Sequence, residues 1–305
     1  MSYTTSGLHH MTAITSDPQR NVDFYTEVLG FRLVKLTVNF DDPSSYHFYY
    51  GDTRGTPGTI LTFFSWPGAN RAKAGRGVVE TTHLRVPVGS LAWWSARLAD
   101  AGVETTAEND ALQFTDFDGL RFELVEEDVP DRVQTWNGSV PAEYAIGGMK
   151  GISLRVGQLE PTAAVLEGEL GFQRQNDNLF VASATGDFVR LLADPTAPHA
   201  TTGSGGVHHI AFRSQSEDEQ REWLQDLRAV GFRASPVMDR DYFRSIYFRE
   251  PNGVLFEIAT DAPGFTIDEP LESLGHSLKL PAHYESHRAQ IESRLAPVRL
   301  PEVSK

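Results

Sequence analysis

The 305-residue chain contains no cysteine. Disulfides, thiolate nucleophiles and cysteine-ligated zinc or iron–sulfur sites are therefore excluded. No apolar run approaches the roughly 20 residues that a membrane-spanning helix needs. The opening sequence MSYTTSGLHH lacks the basic and apolar regions of a signal peptide, so we expect a cytoplasmic protein.

Positive charge is also scarce. The chain has 27 lysine and arginine residues against 41 aspartate and glutamate residues, which gives a formal net charge of −14. This excess of negative charge opposes binding to nucleic acid or to an anionic membrane, so we expect neither partner. The hydrophobic content of 40% is ordinary for a soluble globular protein, and the length suggests two domains.

Four helix-like segments each end at a glycine, the residue that most often stops a helix. A short strand precedes each segment, and extended, hairpin-like runs follow it. The chain therefore repeats a unit of one strand, one helix and about three strands, and its fold class is α+β. We number the units one to four. The glycines are Gly30, Gly102, Gly171 and Gly231, and the first strands are 8–14, 82–88, 151–157 and 207–214.

A stretch at residues 129–148 that contains proline and glycine separates units one and two from units three and four. We place the first domain at residues 7–131 and the second at residues 148–264, with two units in each. Residues 265–305 have no repeat partner. We interpret them as a C-terminal extension that packs on the body of the protein and contains one helix at 282–295.

The segment SIYFREPNGVLFEIATD, residues 245–261, predicts a β-hairpin. Residues 246–249 form one strand, Glu-Pro-Asn-Gly at 250–253 the turn, and residues 254–259 the second strand. Both faces of the second strand are apolar except for Glu257. A carboxylate buried on both sides needs a partner, and two alternatives are open, a salt bridge to an arginine or a bound metal.

Alignment of the four units indicates where such partners could lie. The first strands place four residues at equivalent positions: His10, His83, Ser153 and His209. The last strands do the same for Thr62, Glu123, approximately Leu191, and Glu257. A lone histidine on a strand is more often structural. Units one and four together, however, supply two imidazoles and one carboxylate, the ligand set of non-haem Fe(II) oxygenases, whereas units two and three lack a third ligand.

The motifs LHHMTAITSD, NVDFYTEVLGFRLVKLTVNFDD, HHIAF and SIYFREPNGVLFEIATD resemble those of the vicinal oxygen chelate superfamily, which includes glyoxalase I and the extradiol dioxygenases. More narrowly, they look like the hydroquinone ring-cleaving dioxygenases. The resemblance implies four βαβββ units in paired cup-shaped sheets. It also implies Fe(II), with Mn(II) as an alternative, held by His10, His209 and Glu257. The expected partners are a small aromatic diol and O₂, and we expect a homo-oligomer.

The same resemblance implies further site residues. Tyr247 matches an acid–base tyrosine, and Arg240, Thr12, His9 and His208 also match family positions. Seen alone, Tyr247 could equally be a half-buried strand tyrosine, and Arg240 could pair with Asp239 or Asp241. Strict alternation would direct His9 and His208 away from the metal. Either the strands are irregular there or these two histidines are structural.

The expected activity is Fe(II)-dependent opening of a 1,4-dihydroxybenzene ring by O₂. Three alternatives remain. A two-domain catechol extradiol dioxygenase would take ligands from units three and four, where Ser153 stands in place of a histidine. A glyoxalase-type isomerase would need a second carboxylate, and Thr62 occupies the position for it. A metal-free module that binds aromatic compounds would not need all three ligands.

Overall fold

The computed structural model describes residues 4–301. Its four units confirm the α+β class, and each consists of a strand, a helix and three further strands. Unit one contains β1 (Leu8–Thr15), α1 (Pro18–Asp23), a π-helical turn (Phe24–Val28), β2 (Arg32–Val38), β3 (Tyr46–Gly51) and β4 (Ile60–Ser65). Unit two contains β5 (Val78–Val86), α2 (Leu91–Asp100), β6 (Thr105–Glu108), β7 (Ala111–Thr115) and β8 (Arg121–Glu126).

The second half of the chain repeats this order after a 3₁₀ turn at Ala142–Tyr144. Unit three contains β9 (Met149–Val156), α3 (Leu159–Ala164), a π-helical turn (Val165–Glu169), β10 (Gln173–Asn176), β11 (Leu179–Val181) and β12 (Phe188–Ala193). Unit four contains β13 (Val207–Ser214), α4 (Glu217–Ala229), β14 (Met238–Asp239), β15 (Phe243–Arg249) and β16 (Leu255–Pro263). No helix within residues 4–301 is both long and apolar enough to cross a bilayer.

The local signals explain where the helices begin and end. The glycines after the four helical segments, at 30, 102, 171 and 231, have φ angles of +74°, +73°, +72° and +96°. Glycine adopts this region without the penalty of a Cβ atom. At the other end of α1, the Asp17 carboxylate accepts hydrogen bonds from the backbone N–H groups of Gln19 and Arg20.

The strands form two eight-stranded sheets. The first has the order β14-β15-β16-β13-β1-β4-β3-β2, and the second has the order β10-β11-β12-β9-β5-β8-β7-β6. Units one and four therefore share one sheet, and units two and three share the other. The first sheet is joined at its centre by the antiparallel pair β1 and β13. This pairing brings residues 199 positions apart in the chain, such as His10 and His209, onto neighbouring strands.

The chain after β16 packs against unit one. Leu278 forms a bridge with Leu36 of β2, and the buried ammonium of Lys35 contacts the carboxylates of Asp268 and Glu269. The predicted single helix at 282–295 is wrong. The segment consists of a 3₁₀ helix (Ala282–His287) and a short α5 (Arg288–Glu292), because His287 leaves helical geometry at φ −109° and ψ 8°. Residues 302–305 of the predicted extension lie outside the described part of the chain.

Candidate metal centre

The predicted hairpin positions Glu257 in the middle of the first sheet. Its two strands are β15 and β16, and Gly253 in the connecting turn has a φ of +97°. Glu257 lies opposite Tyr247 on one neighbouring strand and opposite Ala211 on the other. Its side chain is fully buried, at 0% exposure, so its charge must be compensated from within the protein.

The partners of Glu257 are two histidines. Its Oε2 lies 3.2 Å from Nε2 of His10 and 2.9 Å from Nε2 of His209, and the two Nε2 atoms are 3.3 Å apart. All three side chains are buried. Among residues 4–301, no arginine pairs with Glu257, so the alternative of a buried arginine salt bridge is wrong. The structure thus brings together the three residues that the repeat alignment selected as metal ligands.

Two β-bulges explain how neighbouring histidines can face the same way. Along β1, Leu8 pairs with Phe212 and His10 with Ala211, so His9 is an extra residue in the ladder. Along β13, Thr12 pairs with His209 and Ala13 with Val207, which leaves His208 as the extra residue. A bulge interrupts alternation and redirects a side chain. The first of the two alternatives for His9 and His208, an irregular strand, is therefore confirmed.

Each bulged histidine contacts the next one. The Nδ1 atoms of His9 and His10 are 2.9 Å apart, and those of His208 and His209 are 2.8 Å apart. The other ring nitrogen of His9 lies 3.1 Å from the carbonyl oxygen of Thr260. A carbonyl only accepts, so His9 donates to it through Nε2. Burial lowers the pKa of His9 well below its usual value, so the ring is neutral and its Nδ1 is an acceptor.

His10 must then donate its proton from Nδ1 to His9. Its Nε2 consequently carries a lone pair that points at Glu257 and His209. Such an arrangement, in which a neighbour fixes the tautomer of a histidine, is common around metal-binding imidazoles. Burial likewise lowers the pKa of His209, which opposes an imidazolium at this position.

The electrostatics of this cluster fit a divalent cation. Burial raises the pKa of Glu257, and only positive charge and donated hydrogen bonds at the His10 and His209 positions would hold it well below the usual range, so two neutral imidazoles leave the buried carboxylate uncompensated. Its two oxygens are buried and have no hydrogen-bond donor within residues 4–301. A buried carboxylate and two imidazole nitrogens that converge in this way would be compensated by a cation between them. Two histidines with one carboxylate suit Fe(II).

Tyr247 and Arg240 line the same small cavity as His10 and His209. Nε of Arg240 donates to the hydroxyl of Tyr247 across 3.4 Å, and the guanidinium also pairs with Asp41 at 3.0 Å. The suggested pairing of Arg240 with Asp239 or Asp241 is wrong, since the carboxylate that pairs with Arg240 is Asp41 and Asp239 pairs with Arg244. Burial and Glu257 raise the pKa of Tyr247 despite the opposing charge of Arg240, so its phenol is neutral.

Thr12 is buried behind the cavity rather than in its wall. Its Oγ1 is 2.8 Å from Oγ1 of Thr62, which in turn is 2.8 Å from Nε2 of His47. The hydroxyl of Tyr49 lies 2.9 Å from Nδ1 of His47. His47 and Tyr49 both line the cavity, yet the sequence interpretation did not select them. The repeat could have indicated Tyr49, because it lies opposite Thr62 as Tyr247 lies opposite Glu257.

The second sheet has no matching cluster. Nδ1 of His83 is 2.9 Å from Oε1 of Glu123, and Nε2 is 2.8 Å from Oγ of Ser153. The strand pairing shows that the predicted equivalence of His83 with His10 and His209 is wrong by two residues. His83 lies opposite Glu123, and the residue in that position opposite Glu257 is Ala211. The counterpart of Glu257 in unit three is Arg190 rather than Leu191. The positions that match His10 and His209 are held by Thr81 and Gly151.

Gly151 also explains why no ligand could be accommodated there. A Cβ atom on Gly151 would lie 2.6 Å from the ring of Phe188, which therefore fills the space that an imidazole takes in the first sheet. His83 packs against the same ring, with centroids 4.8 Å apart. The polar group of His83, Glu123 and Ser153 is thus a closed hydrogen-bonded network beneath an aromatic cover.

Comparisons with known proteins agree with this architecture. A protein of Bacillus subtilis (strain 168), MhqO, provisionally named a ring-cleaving dioxygenase, is 44% identical over 99% of this chain and 100% of its own. A chlorohydroquinone/hydroquinone 1,2-dioxygenase of Sphingobium indicum is 31% identical over 93% of this chain and 94% of its own. A crystal structure of a provisionally named B. subtilis dioxygenase superposes with a TM-score of 0.93, at 42% identity over 99% of this chain and 100% of its own.

The family comparison covers both halves of the chain. The sequence model of the Glyoxalase/Bleomycin resistance protein/Dioxygenase superfamily matches residues 7–124 and 148–258. These two ranges cover the four repeat units except for the last residues of β8 and β16, and they include the three converging residues of the first sheet. The chain belongs to the Glyoxalase/Bleomycin resistance protein/Dioxygenase superfamily.

Proposed function

We propose that this protein is an Fe(II)-dependent dioxygenase that opens a 1,4-dihydroxybenzene ring with O₂, between a hydroxylated carbon and its neighbour. The observation that carries the proposal is the buried convergence of His10, His209 and Glu257 beside Tyr247 and Arg240. The names of the similar proteins, which include a hydroquinone 1,2-dioxygenase, support the same reaction.

His10, His209 and Glu257 would hold the metal through the two Nε2 atoms and the carboxylate. Fe(II), when bound there, supplies open positions at which the diol and O₂ are brought together and activated. Mn(II) suits the same nitrogen and oxygen donors and is the alternative metal. The single carboxylate leaves a net positive centre, which favours binding of an aromatic diol as its phenolate.

Tyr247 and Arg240 provide the acid–base chemistry and the charge around the substrate. Because the phenol of Tyr247 is neutral, it acts first as a proton donor, at an oxygen that becomes negative during ring opening. The guanidinium of Arg240 binds the phenolate and the developing negative charge. A para-diol presents only one oxygen at a time to a metal, so these two side chains must hold the other side of the ring.

The remaining predicted residues, His9, His208 and Thr12, influence the site through the residues that they contact. His9 and His208 position the imidazoles of His10 and His209 through the Nδ1 contacts. Thr12 supports the cavity wall through Thr62, whose hydroxyl also meets His47. Thr62 bears on the isomerase alternative too. It lies where unit one would have to supply a second carboxylate, and a hydroxyl at that position is a poor general base.

The decisive experiment combines metal analysis with oxygen uptake. Protein purified without O₂ should contain about one iron per chain and should consume O₂ with hydroquinone or chlorohydroquinone faster than with catechol. A clear preference for catechol or an alkylcatechol would replace the hydroquinone assignment with an extradiol one. Iron-loaded protein that consumes O₂ with neither diol would contradict the dioxygenase proposal and return the isomerase and the binding module as candidates.

A further inference from the structure

A second and larger cavity lies on the other side of His209 from Tyr247 and Arg240. It is a cleft of about 400 Å³ between strand ends of the two sheets, bordered by the segments 71–80 and 199–209 and by the turn of the β15–β16 hairpin. It shares one lining residue, His209, with the cavity that contains Tyr247 and Arg240. The two cavities are therefore neighbours that have His209 in common, while their other lining residues differ.

The lining of this cleft is cationic, although the chain as a whole has a net charge of −14. Its two carboxylates, Glu80 and Asp118, accept hydrogen bonds within the protein and carry two negative charges against six lysine and arginine side chains. Glu80 pairs with both Arg121 and Arg155, and Asp118 accepts hydrogen bonds from Thr15 and Ser16. Four further cations border the cleft and have no carboxylate partner within residues 4–301: Arg71, Lys73, Arg76 and Arg249.

The three unpaired arginines are positioned by neutral groups. Arg71 donates to the carbonyl of Phe117, Arg76 to that of Pro195 and Arg249 to that of Gly253. A carbonyl oxygen orients a guanidinium but does not cancel its charge. Lys73 makes no side-chain hydrogen bond within the described residues. Four like charges around one concave space repel one another and are stabilised by an anion placed between them.

The backbone that carries these cations is held in place before any ligand arrives. Isolated bridges join Arg71 to Ser204, Lys73 to Thr201 and Arg76 to His199. The two segments approach so closely at Gly75 that a Cβ atom there would lie 2.4 Å from the carbonyl oxygen of Pro198. The backbone between the two segments therefore needs no ordering on binding, which favours affinity.

We propose that this cleft is a binding site for a small organic or inorganic anion that carries at least two negative charges on carboxylate or phosphate groups. Guanidinium groups match both oxyanions through paired N–H donors. Two or more charges are required because the unpaired cations are distributed around the cleft rather than gathered at one point. The proposal does not depend on the dioxygenase activity, since none of the four cations lines the cavity beside Tyr247.

Isothermal titration calorimetry of the purified full-length protein tests the site with adipate and pyrophosphate as probes and chloride at matched ionic strength as the reference. We expect one probe molecule per chain and weaker binding as salt increases. Arg249→Gln and Lys73→Gln should each lower affinity about tenfold, the scale of one charge-assisted hydrogen bond. Arg233→Gln removes an exposed arginine outside the cleft and should leave affinity unchanged.

The two probes also identify the source of the anion. Binding of adipate alone indicates a dicarboxylate, binding of pyrophosphate alone indicates a phosphorylated compound, and binding of both supports a general dianion site. Saturable binding of neither probe would overturn the proposal, as would equal losses in Lys73→Gln and Arg233→Gln. Because the Lys73 side chain has no bond to lose, a folding defect cannot explain a result from that variant.

Discussion

Nδ1 of His9 lies 2.9 Å from Nδ1 of His10, and this contact determines which nitrogen of His10 is free to bind a metal. The proton of His9 is committed to the carbonyl of Thr260, so the proton between the two rings belongs to His10. The pair His208 and His209 repeats the contact at 2.8 Å, with ring planes at 81° in both pairs. In each pair one histidine is thus the proposed ligand and its neighbour is the residue that contacts its Nδ1.

His9→Phe should preserve the size of the side chain but remove the acceptor for the Nδ1 proton of His10. We expect metal affinity to fall by roughly 10- to 100-fold, the range found when the hydrogen-bond partner of a metal-binding histidine is lost. Competition with a chelator measures the change. His83→Phe, a matched loss of a buried imidazole in the second sheet, should leave the affinity unchanged, and equal effects of the two variants would contradict this role for His9.

Removal of a proposed ligand should have a larger effect. His10→Ala, His209→Ala and Glu257→Ala should each lose both iron and activity, because the three donors form one ligand set. Metal analysis after anaerobic purification provides the measurement. His83→Ala and Glu123→Ala should retain iron, since their network lies beneath Phe188 and lacks a third ligand. Full iron retention in Glu257→Ala would refute the assignment.

Tyr247→Phe separates proton transfer from metal binding. The variant should retain iron and bind substrate, while kcat falls by roughly 10²-fold or more, the usual contribution of a general acid or base. Tyr242→Phe is the matched control, because Tyr242 is a buried tyrosine whose hydroxyl bonds to Asp268 instead of lining the cavity. Turnover close to that of the wild type in Tyr247→Phe would reduce Tyr247 to a packing residue.

Arg240→Ala should change the choice of substrate. A metal by itself favours catechol, which can chelate through two adjacent oxygens, so selection of a para-diol must come from surrounding side chains. We expect the wild-type ratio of kcat/KM for hydroquinone over catechol to shrink in Arg240→Ala. Arg244→Ala, which breaks a surface pair with Asp239, should keep the ratio. Steady-state oxygen consumption with both diols measures it, and an unchanged ratio in Arg240→Ala would exclude this role.

The buried carboxyl group of Asp116 predicts how the free energy of unfolding depends on pH. Burial raises its pKa to about 6, although hydrogen bonds from Leu120, Tyr25 and Asp118 oppose the shift. Because the folded state holds this proton more tightly than the unfolded state, with its aspartate pKa near 3.9, the stabilisation is complete below about pH 4. It is lost as pH rises through 6. The stabilisation that is lost between these pH values is on the order of 2–3 kcal/mol, from the same linkage between proton binding and folding.

Asp116→Asn removes this titration. The unfolding free energy of the wild type minus that of Asp116→Asn should therefore be larger at pH 4 than at pH 8. Urea denaturation at the two pH values measures the difference, in which the titration of other groups cancels. Asp100→Asn, an exposed aspartate on α2, should show no such change. A difference that is the same at both pH values would show that Asp116 does not titrate in this range.

The sequence predicted the features that depend on local pattern. Glycines end the helical segments, the Glu-Pro-Asn-Gly turn forms the hairpin, and an isolated carboxylate on an apolar strand signalled Glu257. The two other converging residues were found because unit one and unit four carry the same HH pair. These signals need only the residue types and their spacing.

The features that the sequence did not predict depend on the register in which the strands pair and on contacts between distant segments. An alignment of the units by their first strands cannot detect a bulge, so the orientation of His9 and His208 stayed open and His83 was misplaced by two positions. His47 and Asp41 acquire their positions from the folding of β3 and the loop before it across the cavity. The partner of Arg240, for the same reason, is 199 residues away in the chain rather than beside it.

The pairing of unit one with unit four also has a consequence for biosynthesis. Synthesis runs from the N-terminus, so β1 leaves the ribosome long before β13 and β16 are made. The contacts of His10 with His209 and Glu257 cannot form until then. The second sheet, made from the two central units, can be completed first. The three converging residues can come together only after residue 257 has emerged, so the proposed metal could be bound only late in synthesis.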